Sequence, residues 1–231
     1  MNHNKPTPEV VPSLLSADFA RLKEHIRLVE KAGARRLHLD IMDGHFVPNI
    51  TIGPLVVEAI RRVTNLHLET HLMIERPERF IQQFVEAGSN TVILHVESAQ
   101  DLHNDLRKIK EFGVKAGVVL NPPTSFEEVE PYLDEIDHLL VMTVHPGFGG
   151  QQMIPEALDK VRRAQPWQAR YGFLIEVDGG INQETITIAA AAGADNSRLG
   201  LGGDLVEPDR RADTLGAGGT AAAAADGDDV D

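Results

Sequence analysis

The chain has no cysteine in its 231 residues. Disulfides, thiolate metal sites and cysteine nucleophiles are therefore excluded, and any metal must be held by His, Asp or Glu. No apolar run approaches the length of a membrane span, and the start, MNHNKPTPEV, lacks the apolar stretch of a secretory signal. A cytoplasmic protein without membrane contact is expected. Positive charge is scarce: 22 Lys and Arg face 35 Asp and Glu, a formal net charge of −13. Such a chain is a poor general partner for nucleic acid. What remains is ordinary for a folded domain, with 42% hydrophobic and 25% charged residues and enough length to bury a full core.

Short aliphatic runs alternate with longer runs of helical period. Strands are expected at residues 10–15, 36–42, 66–74, 91–96, 116–120, 139–144 and 173–177. Helices are expected at 18–31, 54–63, 77–87, 102–112, 126–136, 155–169 (with Pro166 as a break) and 183–192. Seven strand-then-helix units imply a parallel sheet with helices outside. The first strand leads into Ser13-Leu14-Leu15-Ser16-Ala17-Asp18 rather than the G-x-G-x-x-G of a dinucleotide-binding sheet. Polar residues gather instead at strand ends: Ser13, Asp40, His71, His95, Asn121, His145 and Asp178. A (β/α)8 barrel builds its site there. The fold class expected is α/β, a TIM barrel in one domain over residues 1–195.

The eighth unit is degraded or incomplete by composition. Gly, Ala and Asp make up 21 of the 36 residues from 196 to 231, with no aromatic residue and no isoleucine. Leu199, Leu201 and Leu205 offer at most a poor strand. This stretch is expected to be a largely disordered tail. Its abrupt onset also matches a frame-shifted reading of GC-rich DNA.

On the second strand, a period of two puts His38, Asp40 and Met42 on one face and Leu37, Leu39 and Ile41 on the other. Glu69, His71 and Met73 form a similar set, and Glu176 shares a face with Asp178. A single strand histidine is more often a hydrogen-bonded core residue. Two His and two Asp converging on one barrel mouth suit Zn²⁺, Mn²⁺ or Fe²⁺. After the sixth strand comes His145-Pro146-Gly147-Phe148-Gly149-Gly150-Gln151, and after the seventh Gly179-Gly180-Ile181-Asn182. Either could be an ordinary glycine turn. Together, beside a carboxylate and before a helix, they favour a phosphorylated substrate. Met42, Met73 and Met142 fall on strands at positions that face the mouth, although core filling is the usual role of Met. His95 and His145 read as structural, and Gly44 to Ile52 as a mobile loop at the active site or a plain connector.

PSLLSADF, LHLDIMDGHFVPNITIGP, HLMI, VHPGFGGQ and EVDGGIN, in this order and spacing, resemble the ribulose-phosphate 3-epimerase family. The resemblance covers residues 10–195. It implies a (β/α)8 barrel that interconverts D-ribulose 5-phosphate and D-xylulose 5-phosphate with one divalent ion (Zn, Mn or Fe, with Co also possible). By that resemblance His38, Asp40, His71 and Asp178 match the metal ligands, and Asp40 and Asp178 the acid/base pair. Ser13, His71, Gly147, Phe148, Gly149, Gly150, Asp178, Gly179 and Gly180 match substrate and phosphate contacts. Met42, Met73 and Met142 match residues lining the pocket. A homo-oligomer acting on a small sugar phosphate is implied. The chain departs from the family at the eighth strand, where a Gly-Ser pair is replaced by Gly200-Leu201. Gly200 still matches a phosphate contact, but the hydroxyl is lost. Two other readings stand beside this one: an epimerase of another ketose phosphate, such as a hexulose 6-phosphate, and a product impaired by its C-terminus.

Overall fold

The computed structural model describes residues 8–200. Eight parallel strands close in chain order into a barrel: β1 Glu9–Ser13, β2 Arg36–Met42, β3 His67–Met73, β4 Thr91–His95, β5 Lys115–Leu120, β6 His138–Met142, β7 Leu174–Asp178 and β8 Asn196–Gly200. Six α-helices connect them: α1 Leu22–Lys31, α2 Pro54–Arg61, α3 Ile81–Glu86, α4 Leu102–Glu111, α5 Leu158–Tyr171 and α6 Thr185–Ala192.

The period-two pattern divides each strand between two cores. Leu37, Leu39, Leu68, Leu72, Val92 and Leu94 point outward and share one buried cluster with Ile26, Val57, Ile60, Phe84, Leu106 and Val161 of the helices. Burial of this shell is the main stabilising contribution, about 1.5–3 kcal/mol for each large aliphatic side chain removed from water. Inside the barrel, Ile93, Val119, Leu140, Met142 and Val144 fill one side. The β2–β3 side is polar instead, and the site lies there.

Three expectations are corrected. Residues 126–136 form two short 3-10 turns, Phe126–Glu128 and Glu130–Tyr132, rather than one α-helix. Pro131 has no N–H to donate and disfavours helix at the residue before it, while Phe126, Val129 and Leu133 still reach the core. Pro166 does not break α5, which runs on to Tyr171. It lies on the exposed side with Arg162, where a carbonyl without its amide partner faces solvent. The boundary expected at residue 195 falls before β8, which closes the barrel. That strand pairs with β1 from Glu9↔Asn196 to Ser13↔Gly200 and with β7 from Glu176↔Asn196 to Asp178↔Arg198. Asp195 anchors the entry to β8: its carboxylate accepts from Ile175 N at 3.0 Å and from Gln168 Nε2, and its carbonyl accepts from Glu9 N at 2.8 Å. Leu201, Leu205 and the rest of the expected tail lie outside the described residues. No helix among the described residues is long and apolar enough to cross a membrane.

One buried group on α4 works against the fold. Asp105 sits on the core-facing side with Leu102, Leu106 and Ile109, and its Oδ2 has no hydrogen-bond partner among the described residues. Burial, reinforced by Glu78 and Asp101, raises its pKa to about 6. The folded state therefore holds this proton more tightly than the unfolded chain does. Stability falls as pH rises from about 4 to 6, and the cost is fully present above that window. Asp105→Asn is expected to raise Tm at pH 7.5 by about 2–4 °C, the shift of roughly 1 kcal/mol in a chain of this size, with no gain at pH 4. Thermal melts at the two pH values check this.

Candidate active site

Alternation on β2 turns His38 and Asp40 into the barrel, where His71 of β3 and Asp178 of β7 meet them. One ligand atom from each of the four lies within 4.8 Å of every other, and all four residues are buried. His38 Nε2 stands 3.6 Å from Asp40 Oδ1, and His71 Nδ1 stands 3.5 Å from the same oxygen. Among the described residues, both nitrogens of His38, His71 Nδ1 and Asp40 Oδ1 are buried without a hydrogen-bond partner. His38 Nδ1 faces Glu176 and Glu69, and a bound ion would account for the other three atoms. Two imidazoles and two carboxylates are a donor set for a borderline divalent metal, so the residues fit the ion that the sequence resemblance implies.

Supporting groups orient both imidazoles. His71 Nε2 is 2.8 Å from His95 Nε2, and His95 Nδ1 is 3.0 Å from Glu97 Oε2. With Glu97 ionised, His95 donates to it from Nδ1 and accepts at Nε2 from His71. This assigns the His71 proton to Nε2 and leaves its Nδ1 lone pair facing the cluster. Glu97 is itself fixed by Asn121 N at 2.7 Å and by Thr124 Oγ1. Beneath His38, Glu176 Oε1 lies 3.3 Å and Glu69 Oε2 3.8 Å from Nδ1. Glu69 is held by Arg36 at 2.7 Å, and Glu176 by Asn196 Nδ2 at 3.3 Å, with His138 Nε2 3.4 Å away.

The charges follow from these contacts. Burial and the Arg198 charge push the His38 pKa down, but Asp40, Glu176 and Glu69 outweigh them and raise it to about 10. Burial takes His71 down to about 3 against the pull of Asp40, and lowers His95 as well. Burial raises the Asp178 pKa, aided by the Asp40 charge and opposed by Arg198. Asp40 goes the other way: burial opposes its charge, but Arg198, His38 and His71 hold its carboxyl well below the usual range. Two neighbouring carboxyls pushed apart in this manner suit opposite acid–base tasks.

The cluster opens into a cavity of about 1250 Å³. Met42, Met73 and Met142 line it beside Asp40 and Asp178, as do Gly147, Phe148, Gly149, Gly150, Gly179, Gly180 and Gly200. His38, His71 and Ser13 are fully buried below its floor. Ser13 Oγ donates to Asp40 Oδ2 at 2.8 Å. The glycine loops are braced from behind. Gln151 Nε2 donates to the carbonyls of His145 and Phe148 at 2.6 and 2.9 Å, and Asn49 Nδ2 to that of Gly147 at 2.8 Å. Thr143 Oγ1 donates to the Gly179 carbonyl at 2.6 Å. Asn49 thus ties the loop after β2 to the loop after β6, while Val47 of the same loop packs on Met42 and Met73.

Sequence reasoning missed Arg198. Its guanidinium bridges the two carboxylates, with Nη1 on Asp178 Oδ2 and Nη2 on Asp40 Oδ2 and Ser13 Oγ. Reading 196–200 as the closing strand would have placed Asn196, Arg198 and Gly200 inside; the Gly- and Ala-rich residues that follow hid that strand. The period of two puts Glu69 and Glu176 on the inner face but gives no sign of the supporting roles of Glu97, His138 and Glu69.

Fold and site together define a (β/α)8 barrel of the kind that carries acid–base and metal chemistry at its strand ends. The Ribulose-phosphate 3 epimerase family matches residues 9–201. The chain is 53% identical over 189 residues to "Ribulose-phosphate 3-epimerase" of Bacillus subtilis, covering 80% of this chain and 87% of that protein. It is 48% identical over 189 residues to the Synechocystis protein of that name, covering 80% and 82%. Against "Ribulose-5-phosphate-3-epimerase, chloroplastic" of Arabidopsis thaliana it is again 48% identical, covering 80% and 67%. Among solved structures, a tryptophan synthase α-subunit from Pyrococcus furiosus superposes with a TM-score of 0.61 at 14% identity, covering 83% of this chain and 86% of that one, a likeness of fold alone. The chain belongs to the ribulose-phosphate 3-epimerase family.

Gly180 is the glycine whose replacement tests the loops. Its φ is +65°, and a Cβ there would sit 2.2 Å from Met153 N. If the two glycine loops take a phosphate, Gly180→Ala is expected to weaken binding of inorganic phosphate about tenfold, ~1.4 kcal/mol. Gly172→Ala is the control, with φ +81° and no atom within 4 Å of the added Cβ. It should share the backbone strain and leave phosphate binding unchanged, as titration calorimetry on both variants would show.

Proposed function

We propose that the chain interconverts D-ribulose 5-phosphate and D-xylulose 5-phosphate by inverting C3. The observation that carries this reading is the pair Asp40 and Asp178, delivered by β2 and β7 to one cavity beside two glycine loops. Epimerisation next to a ketone needs a base on one face of C3 and an acid on the other, with no redox change. One carboxylate takes the C3 proton, and the electron pair of that C–H bond moves to the C2 carbonyl to give an enediolate. The other carboxyl delivers a proton to the opposite face, and the carbonyl re-forms. In the reverse direction the two exchange roles. His38, Asp40, His71 and Asp178 would hold the divalent ion, Zn²⁺, Mn²⁺, Fe²⁺ or Co²⁺, which when bound supplies Lewis-acid stabilisation of charge on the sugar oxygens. The backbone N–H groups of Gly147 to Gly150 and Gly179-Gly180 take the phosphate, and Met42, Met73 and Met142 shield the reacting carbons from water. Names and extents of the relatives support the substrate.

The reaction run in D₂O and followed by NMR tests this, with a hexulose 6-phosphate as the competing substrate. Conversion with deuterium appearing at C3 is the expected result. Because Arg198 lies between the two carboxylates, the assay includes Arg198→Val. If neither chain converts the pentulose phosphate or exchanges its C3 proton, with or without Mn²⁺, the reading fails. In whichever of the two is active, Asp40→Asn and Asp178→Asn are each expected to lower turnover by about 10²–10⁴-fold, the usual contribution of a positioned acid or base.

A further inference from the structure

The guanidinium of Arg198 and a divalent ion need the same two carboxylates. Asp40 and Asp178 are the only anionic members of the four-residue donor set, and each gives an oxygen to Arg198. The contact is fixed from several directions: Ser13 Oγ accepts from the same Nη2, the side chain is 9% exposed, and β8 is held on both sides by backbone pairing. Two carboxylates balance one dication. With Arg198 in place a bound dication would leave a surplus positive charge in a buried site, within a few ångströms of the ion and poorly screened. An arginine cannot relieve this by losing its proton, as a lysine could. To bind metal, the chain must break two charge-assisted hydrogen bonds and move the guanidinium out into the cavity.

We infer that Arg198 is a tethered cation that occupies the metal position of this barrel, so that the chain as it stands binds divalent ions far more weakly than its donor set allows. The inference rests on the reading of His38, Asp40, His71 and Asp178 as a metal site and is independent of the substrate.

The test is Mn²⁺ binding to chelator-stripped protein by titration calorimetry, on the full chain and on Arg198→Val and Arg198→Gln, with circular dichroism to confirm folding. Both variants are expected to bind one Mn²⁺ at least about a hundredfold more tightly than the parent. A parent that binds one Mn²⁺ within about threefold of the variants overturns the inference and leaves the metal site standing. If neither parent nor folded variants bind, the metal-site reading itself fails, and the inference with it. Should both variants fail to fold, the parent alone decides. Mn²⁺ is expected to leave its Tm unchanged, and a clear rise in Tm with Mn²⁺ would overturn the inference, because a ligand that binds the native state must stabilise it.

Discussion

Two carboxylates held close together in a cavity floor repel each other, and the architecture of the barrel mouth answers that repulsion. Asp40 and Asp178 can be buried side by side as two anions only with positive charge between them. In this chain Arg198 supplies it, with His38 below. The rest of the inner barrel then follows from one buried charge calling for the next. His38 stands over Glu69 and Glu176, Glu69 is matched by Arg36, and Arg36 reaches Glu9 at 3.2 Å at the opposite rim. A file of alternating charges thus runs the length of the interior on one side, while Ile93, Val119 and Leu140 fill the other.

The second requirement is orientation. A histidine can present a lone pair to the site only if its other nitrogen is committed elsewhere. The His71–His95–Glu97 chain does this for His71, and Glu176 Oε1, 3.3 Å from His38 Nδ1, stands where it could do so for His38. His38, His71, His95, Glu69 and Glu176 all lie on strands, with only Glu97 in the turn after β4, which is how a barrel holds its reacting groups to a fraction of an ångström. The glycine loops are less constrained by the sheet and are braced by side chains instead, Gln151 and Asn49 on one loop and Thr143 on the other.

Most of this was legible in the residues because two periodicities coincide with two chemistries. In β2 the inward set His38, Asp40 and Met42 is polar or polarisable, while the outward set Leu37, Leu39 and Ile41 is aliphatic, so the strand and its working face are visible together. Residues 126–136 have a helical spacing of apolar positions, but Pro131 permits only turns; the spacing reports burial and says little about hydrogen bonding. The eighth strand was obscured for a different reason. A barrel strand covered on both faces is usually a run of Val, Ile and Leu, and Asn196-Ser197-Arg198-Leu199-Gly200 is not such a run. Its pairing comes from the open edges of β1 and β7 rather than from its own propensity, and Ser197 Oγ is left buried without a partner among the described residues. The residue that decides the charge of the site therefore lies in the segment whose composition hid the strand.

The seam between β1 and β8 joins positions 185 residues apart in the chain, from Ser13 to Arg198. During synthesis β1 emerges first and must wait for nearly the whole described chain before its second edge is covered. Until then the backbone of Glu9–Ser13 presents an unpaired edge, which is the condition that favours association with other chains. Contacts this distant in sequence also make closure slow. The strand that completes the seam has little β-propensity of its own, so the last step of folding falls to the segment least able to drive it.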